Sequence, residues 1–160
     1  MADHRLRPDP QRTSVIDRET DSAVSSRVID TVRTGAKALF ASRSRVLLVE
    51  ERRADGSTFW TLPGGGVKPT ESLWDGLHRE LREELRCAAR LSAEVDSCLY
   101  RHRTKSDTVT HYTIIAGTLL TPPDPNPSED VVDYEWVDPT HPPEKTLRPI
   151  RHVIRDSEFP

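Results

Sequence analysis

A run of three glycines, Gly64–Gly66, is followed within a few residues by the strongest helical pattern in this chain of 160 residues. Consecutive glycines leave the backbone free to adopt positive φ and to lie close to a ligand. The helix is predicted over residues 71–86, with Thr70 or Ser72 placed to cap its start. Its apolar face is marked by leucines four residues apart, at Leu73, Leu77, Leu81 and Leu85. The pattern predicts a glycine-rich turn against the beginning of an amphipathic helix.

Three glutamates, Glu80, Glu83 and Glu84, lie on the same helix at spacings that place them together on one face. Like charges four residues apart destabilise an isolated helix by roughly 0.2–0.5 kcal/mol, and a bound cation would remove that repulsion. Mg²⁺ prefers carboxylate oxygens and commonly bridges them to substrate phosphates. Because the leucines are predicted to face the core, the glutamates should form a separate acidic edge. The alternative is a solvated helix on which Glu and Arg form weak surface pairs.

The glycine run and the acidic helix together resemble the Nudix box. That pattern is Gly, five residues, Glu, seven residues, Arg-Glu, an aliphatic residue, any residue, Glu-Glu, any residue, Gly and an aliphatic residue. Here Gly65 is followed after five residues by Glu71, and seven residues later come Arg79-Glu80, Leu81 and Glu83-Glu84. The preceding residues 60–66, Trp-Thr-Leu-Pro-Gly-Gly-Gly, also look like the family's usual approach to the box.

Three positions depart from the family pattern. Arg86 stands where the family usually has Gly, Cys87 stands at the closing aliphatic position, and Thr70 replaces a Gly that often precedes the first Glu. Glycine suits a left-handed helix end and arginine does not. We therefore expect the helix to run on past Arg86 or to end in a different way.

The resemblance to MutT-like Nudix hydrolases implies a metal-dependent site that uses Mg²⁺, with Mn²⁺ as a possible substitute. The implied metal ligands are Glu80, Glu83, Glu84 and the Gly65 carbonyl, with Glu83 and Glu84 the safer pair. Arg79 and Glu71 would pair and hold the loop against the helix. One of these glutamates often activates the attacking water, although in some members that base lies on a later loop.

Composition limits the partners and the compartment. The formal net charge of −3 provides no basic excess for binding a nucleic-acid backbone. No apolar run is long enough to span a bilayer, and the polar N-terminus has no signal-peptide core, so we expect a cytoplasmic protein. Cys87 and Cys98 show no metal-ligand or redox spacing and are interpreted as reduced thiols, with a disulfide as the open alternative.

The order of elements predicts one mixed α/β domain at residues 31–160 after a flexible polar tail at 1–30, which has room for one short helix at 22–31. The resemblance implies an α/β/α sandwich with a mixed β-sheet between helices. The remaining elements are a hairpin at 36–41 with 46–49, four further strands at 59–62, 91–103, 109–120 and 131–137, a turn at 104–107 and a closing helix at 144–155.

The predicted reaction is hydrolysis of a diphosphate bond in a nucleoside diphosphate linked to another group. Candidate substrates are nucleoside triphosphates, ADP-ribose, nucleotide sugars and dinucleoside polyphosphates. Arg52, Trp60 and Glu129 are weak candidates for contacting this small-molecule substrate. Two other classes stay open: a nucleotide-sensing module of the same fold without efficient catalysis, and an interaction domain. A homodimer is possible.

Overall fold

The computed structural model describes residues 31–102 and 107–157, together with the backbone of two short strands at 13–16 and 26–29. The predicted hairpin is confirmed, with β3 at Thr31–Ser42 and β4 at Arg45–Arg52. Arg43 and Ser44 both have positive φ, 52° and 62°. Two consecutive positive φ values are typical of the two-residue turn that matches strand twist.

Strands β3 and β4 belong to a mixed sheet of seven strands within the described ranges. β3 pairs in parallel with β8, and the other pairings of the sheet are antiparallel. Its strand order is β5-β4-β3-β8-β7, with β6 beside β3 and β9 beside β4. The other strands are β5 at Thr58–Thr61, β6 at Gly64–Gly66, β7 at Ala89–Arg101, β8 at Thr108–Leu119 and β9 at Val131–Val137.

Within the described residues, one helix covers each face of the sheet, which confirms the predicted sandwich. Helix α1, Leu73–Leu85, packs its leucines into a core with Ala36, Ala38 and Phe40 of β3. Helix α2, Arg148–Asp156, packs against the opposite face, where Leu39 of β3 lies. Successive residues of β3 thus serve opposite cores, as a strand buried on both faces requires.

Helix α2 begins four residues later than the predicted start at residue 144. Residues 145–147 instead run beside β5, where Trp60 N–H donates to the Lys145 carbonyl at 3.0 Å and Leu147 N–H donates to the Trp60 carbonyl at 2.9 Å. These backbone bonds form a parallel bridge between Trp60 and Thr146, so the helix starts only after that bridge. Pro149 then falls in the first helical turn, where its missing donor costs nothing.

The helix predicted at residues 22–31 is wrong. Ser26–Ile29 forms strand β2, paired antiparallel with strand β1 at Thr13–Ile16. Both segments carry β-branched residues, which favour strands once a partner strand is present. The rest of residues 1–30 lies outside the described residues, so the flexible tail stays a prediction. The predicted turn at 104–107 also falls largely outside them.

Helix α1 ends at its C-cap residue, Arg86, the position where the family usually has glycine. Arg86 adopts the left-handed conformation, with φ 46° and ψ 39°, and its N–H bonds the Arg82 carbonyl. The expected different ending is therefore wrong, because arginine takes up the backbone conformation that glycine would. Its guanidinium reaches the loop after β8, at distances of 3.1–3.4 Å from Asp124, Pro125 and Asn126.

The same loop covers the last turn of α1. The N–H groups of Asp124 and Asn126 donate to the carbonyls of Leu85 and Glu84, and the Asn126 side-chain amide donates to the Glu83 carbonyl. Carbonyls in the last turn of a helix have no intrahelical partner. The proline-rich loop supplies those partners and so fixes the part of α1 that carries Glu83 and Glu84.

Two substitutions of Arg86 distinguish the energetic cost of its backbone strain from the stabilisation by its side-chain contacts. Arg86→Gly should leave the free energy of unfolding unchanged or raise it by up to about 1 kcal/mol, because a left-handed residue with a side chain costs about that much. Arg86→Ala keeps the strain, loses the exposed contacts and should destabilise by up to about 1 kcal/mol. Urea unfolding measures the stability of both variants. A glycine variant less stable than the alanine variant would contradict the prediction.

Neither helix of the described residues is long and apolar enough to cross a membrane. Cys87 is buried and Cys98 is half-buried, and both are free thiols. Burial raises the pKa of each thiol to about 11, which keeps them protonated at neutral pH. The cytoplasmic location stays a prediction.

Candidate active site

The two strands of the hairpin separate soon after their turn, and this separation opens the site. β3 and β4 pair only at Ala41 with Val46 and at Ser42 with Arg45. Further along, β3 pairs with the glycine strand β6, while β4 pairs with β5 and β9. The glycine run is thus a short strand, where the sequence predicts a turn.

Glu84 points into this opening from α1. Only 5% of the residue is exposed, and its Oε1 accepts a hydrogen bond from Gly64 N–H at 3.2 Å. Its other oxygen, Oε2, is buried and has no hydrogen-bond partner among the described residues. The prediction that all three glutamates form an edge away from the core is therefore wrong for Glu84.

Glu51, at the end of β4, lies next to Glu84. Burial and the charge of Glu51 raise the pKa of Glu84 well above its usual value. Burial likewise raises the pKa of Glu51, although Lys37 opposes that shift. Sequence reasoning missed Glu51, because one acid after an apolar strand is a weak signal. Two neighbouring carboxylates with raised pKa values form a place where a proton or a cation is strongly favoured.

Lys37 is the second residue that sequence reasoning missed. It is 3% exposed, and its ammonium donates to the carbonyls of Leu62 and Gly64 at 3.0 and 3.3 Å. The same group lies 4.6 Å from the centre of the Tyr112 ring. Burial disfavours the charged form, but Tyr112 and Glu51 keep the pKa of Lys37 above its usual value. A lone lysine inside an apolar strand was the available signal, since buried charges need partners.

Arg79 holds the other acidic residues together. Its guanidinium contacts Glu71 at 2.6 Å, Glu80 at 3.0 Å and Glu83 at 3.1 Å, and it also donates to the Gly66 carbonyl at 3.0 Å. The hydrogen bond from Arg79 holds the pKa of Glu71 down at about 2. The predicted contact between Arg79 and Glu71 is present and ties the segment before α1 to the helix.

Glu80 lies directly against the glycine strand. A Cβ on Gly65 would stand 2.9 Å from Glu80 Oε2, so a side chain there would force that carboxylate to move. The side chain of Glu80 is 17% exposed, whereas that of Glu83 is 41% exposed. Glu80 and Glu84 therefore face the glycine strand, and Glu83 is the most solvated of the three predicted metal ligands.

The NUDIX domain profile matches residues 31–156, nearly the whole described chain. The chain belongs to the NUDIX domain family. The prediction of a Nudix-type pyrophosphohydrolase is confirmed at the level of the family. No curated protein matches the chain.

Solved structures share the Nudix fold at low sequence identity. A MutT NUDIX hydrolase from Burkholderia pseudomallei has a TM-score of 0.67 and 21% identity, covering 81% of this chain and 100% of its own. A MutT protein from Methanosarcina mazei Go1 has a TM-score of 0.68 and 19% identity, covering 78% and 91%. An ADP-ribose pyrophosphatase from Streptococcus suis has a TM-score of 0.57 and 22% identity, covering 77% and 84%.

The weak substrate-contact candidates of this Nudix domain do not line the cavity beside Glu51. Arg52 bonds Asp130 and the Pro127 carbonyl, at 3.3 and 3.1 Å. Trp60 is half-buried against the core under α2, and Glu129 is exposed in the 3₁₀ turn Pro127–Glu129. Beside Lys37 and Glu51 lies a cavity of about 240 Å³, whose other walls include Arg53, Phe59, Tyr100 and Tyr112. Arg53 and Phe59, the sequence neighbours of Arg52 and Trp60, line this cavity, and the substrate contacts themselves stay a prediction.

Proposed function

We propose that this Nudix domain hydrolyses a diphosphate bond in a nucleoside diphosphate linked to another group, with Mg²⁺ as cofactor and Mn²⁺ as a substitute. The observation that carries the proposal is the buried, unpartnered Oε2 of Glu84, which lies beside Glu51 and the glycine strand. A buried carboxylate oxygen without a donor is costly unless a proton or a cation meets it.

The donor set fits a hard divalent cation. In the described part of the chain, no three His, Cys, Asp or Glu side chains are already gathered around one point as ligands. Arg79 instead holds Glu80 and Glu83, while Glu84 has one oxygen to spare. The site contains two cations, Lys37 and Arg79. It contains five carboxylates, Glu51, Glu71, Glu80, Glu83 and Glu84. Oxygen ligands in acidic excess suit Mg²⁺.

We assign the binding of the metal to Glu84, Glu80 and Glu83, with the Gly65 carbonyl as a further ligand. When bound, a divalent cation neutralises phosphate oxygens and lowers the pKa of an attacking water. The reaction adds one water across a P–O–P bridge, which breaks one P–O bond and yields two phosphate products. One of the box glutamates accepts the water proton. Arg79 and Glu71 are positioning residues, because they fix the glycine strand against α1.

The cavity beside Glu51 suits the nucleoside part of such a substrate. Rings of Phe59, Tyr100 and Tyr112 line it, and the Arg53 guanidinium lies 4.2 Å from the centre of the Phe59 ring. Aromatic rings and a stacked guanidinium bind the flat face of a base without selecting one base.

The reaction is tested with purified protein, Mg²⁺ and a panel of nucleoside triphosphates, ADP-ribose, nucleotide sugars and dinucleoside polyphosphates. Products are separated and identified, and EDTA followed by added Mg²⁺ or Mn²⁺ tests the metal. Nucleoside monophosphate release that needs metal is the expected result. Ligand-induced thermal stabilisation without any turnover would instead identify a nucleotide-sensing module.

Arg79→Ala should lower both stability and activity. The change leaves Glu71, Glu80 and Glu83 without their shared cation, which should cost about 2 kcal/mol of stability, since hydrogen bonds to charged groups contribute about 1.5–3 kcal/mol each before screening. The rate of hydrolysis should fall at least about tenfold, because the glycine strand loses its link to α1.

Arg79→Lys is the matched control. Lysine keeps the charge but lacks the planar fork that reaches several carboxylates and the Gly66 carbonyl together. It should recover most of the stability measured by urea unfolding and only part of the rate. Equal activity of the alanine variant and the unmodified protein would show that Arg79 positions nothing.

A further inference from the structure

We propose that the groove beside the active site ends in an anion subsite, which takes a further phosphate of a nucleotide substrate, separate from the diphosphate that is cleaved. The inference rests on the proposed function, because the groove begins at Glu51 and Lys37. The substrate class becomes a nucleotide diphosphate whose nucleoside side carries an additional phosphate.

A second cavity, of about 440 Å³, adjoins the first. The two share four lining residues, Arg53, Phe59, Tyr100 and Leu147, so they lie side by side, and together they are the groove. The groove runs from the acidic centre past aromatic rings to a basic end. Ligand sites of roughly 300–1,000 Å³ are typical, so the second cavity brings the groove into the range of an extended nucleotide.

Basic side chains outnumber acidic ones among the residues that line the second cavity. Four of the ten described residues that line it are cations, Arg53, Arg101, Lys145 and Arg148, and none of these ten is acidic. The whole chain has the opposite balance, with 26 acidic and 23 basic residues. A local reversal of charge inside a concave site concentrates anions there.

Two polar features lie at the same cavity. Thr146 is 6% exposed, and its hydroxyl oxygen is buried without a hydrogen-bond partner in the described ranges. Helix α2 begins two residues after Thr146, at Arg148, and no side chain caps its first turn. The start of a helix presents unbonded N–H groups and a partial positive charge. A hydroxyl donor, a helix start and several cations together match the oxygens of a phosphate.

Matched pairs of substrates test the subsite, since the members of each pair differ by one phosphate. Suitable pairs are NADH with NADPH, dephospho-coenzyme A with coenzyme A, and ADP-ribose with its 2′-phosphate. The unmodified enzyme should show kcat/KM at least about tenfold higher for the phosphorylated member of one pair, as expected for charge-assisted hydrogen bonds. Equal values within every pair would overturn the proposal.

Charge-reversal variants show which residues produce the preference for the phosphorylated substrate. Lys145→Glu and Arg148→Glu should each remove most of it, whereas Arg90→Glu makes the same charge change on an exposed residue of β7 outside both cavities and should preserve it. Thr146→Val keeps the shape and removes only the unpartnered hydroxyl, so the fold should persist while the preference falls. An equal loss in Arg90→Glu would assign the effect to overall charge and overturn the subsite.

A binding measurement separates this proposal from the proposed function. Calorimetric titration of the metal-free protein compares adenosine 3′,5′-bisphosphate with adenosine 5′-monophosphate. Tighter binding of the bisphosphate, lost in Arg148→Glu, supports the subsite even if no nucleotide is hydrolysed. Hydrolysis in the panel together with equal binding of the two probes would retain the enzyme and overturn the subsite.

Discussion

Glu84→Gln is expected to reduce hydrolysis by about a thousandfold or more while leaving the protein folded. Glutamine has the same shape but is a poor ligand for a hard cation. Metal-ion chemistry contributes several kcal/mol of transition-state stabilisation, and each 1.4 kcal/mol corresponds to about tenfold in rate. Initial rates at saturating Mg²⁺, with the best substrate of the panel, measure the loss.

The same substitution should stabilise the metal-free protein at neutral pH and above. Glu84 is buried beside Glu51, so its ionised form is disfavoured, and one of its oxygens lacks a partner. Glutamine removes the charge, and its amide can donate to a neighbouring carboxylate. A residue that weakens the metal-free fold and supports the reaction is what an active site requires.

The raised pKa of Glu84 predicts the direction in which stability changes with pH. Because the pKa of Glu84 is raised above 4.5, the folded state holds this proton more tightly than the unfolded state. The unmodified, metal-free protein should therefore lose stability as pH rises from about 4.5 through the raised pKa. Glu84→Gln should flatten that slope. Melting temperatures measured in EDTA from pH 5 to about pH 9 show both curves, over the range where the linkage applies.

Glu94→Gln is the matched control for Glu84→Gln, because Glu94 is exposed on β7. It should change neither the rate nor the pH slope. If Glu84→Gln kept normal activity, or if its metal-free form were less stable than the unmodified protein at pH 8, a buried glutamate could not be the centre of the site.

Most of the fold followed from residue periodicity. The four-residue spacing of leucines located α1 to within two residues at its start, and Val131–Val137 formed the predicted last strand. Predictions failed where the partner of a segment is distant in sequence. Thr146 is outside the helix because it pairs with Trp60, and Ser26–Ile29 is a strand because Thr13–Ile16 pairs with it. Local sequence carries no record of such partners.

The site was predictable only as far as the box extends. Arg79 in the middle of α1 contacts Glu71 in the segment before the helix, as the resemblance implies. Lys37 and Glu51 come from different strands and meet Glu84 only because β3 and β4 diverge. Their chemistry depends on burial, which apolar neighbours along the chain do not specify. The left-handed Arg86 shows the converse, because its backbone follows from tertiary contacts despite an unfavourable residue type.

The three consecutive glycines of β6 should respond to alanine in three different ways. Gly64 has φ +125°, and a Cβ there would collide with the Ala36 carbonyl oxygen and approach Lys37 Cα to 2.8 Å. These are backbone atoms of the central strand and cannot move aside. Together, the backbone strain and the collision should cost Gly64→Ala at least about 3 kcal/mol of stability, enough to unfold a marginal domain.

Gly66→Ala is the internal control, because a Cβ there has nothing within 4 Å and Gly66 does not have positive φ. It should stay within about 0.5 kcal/mol of the unmodified protein. Gly65→Ala lies between them, since its Cβ meets the movable carboxylate of Glu80, and it should fold but lose most of its activity. Urea unfolding measures the stability of all three variants, and initial rates measure their activity. Equal stability of the three would mean that the close packing of β6 on β3 does not hold in solution, and the geometry that brings Glu80 and Glu84 to the glycine strand would fail with it.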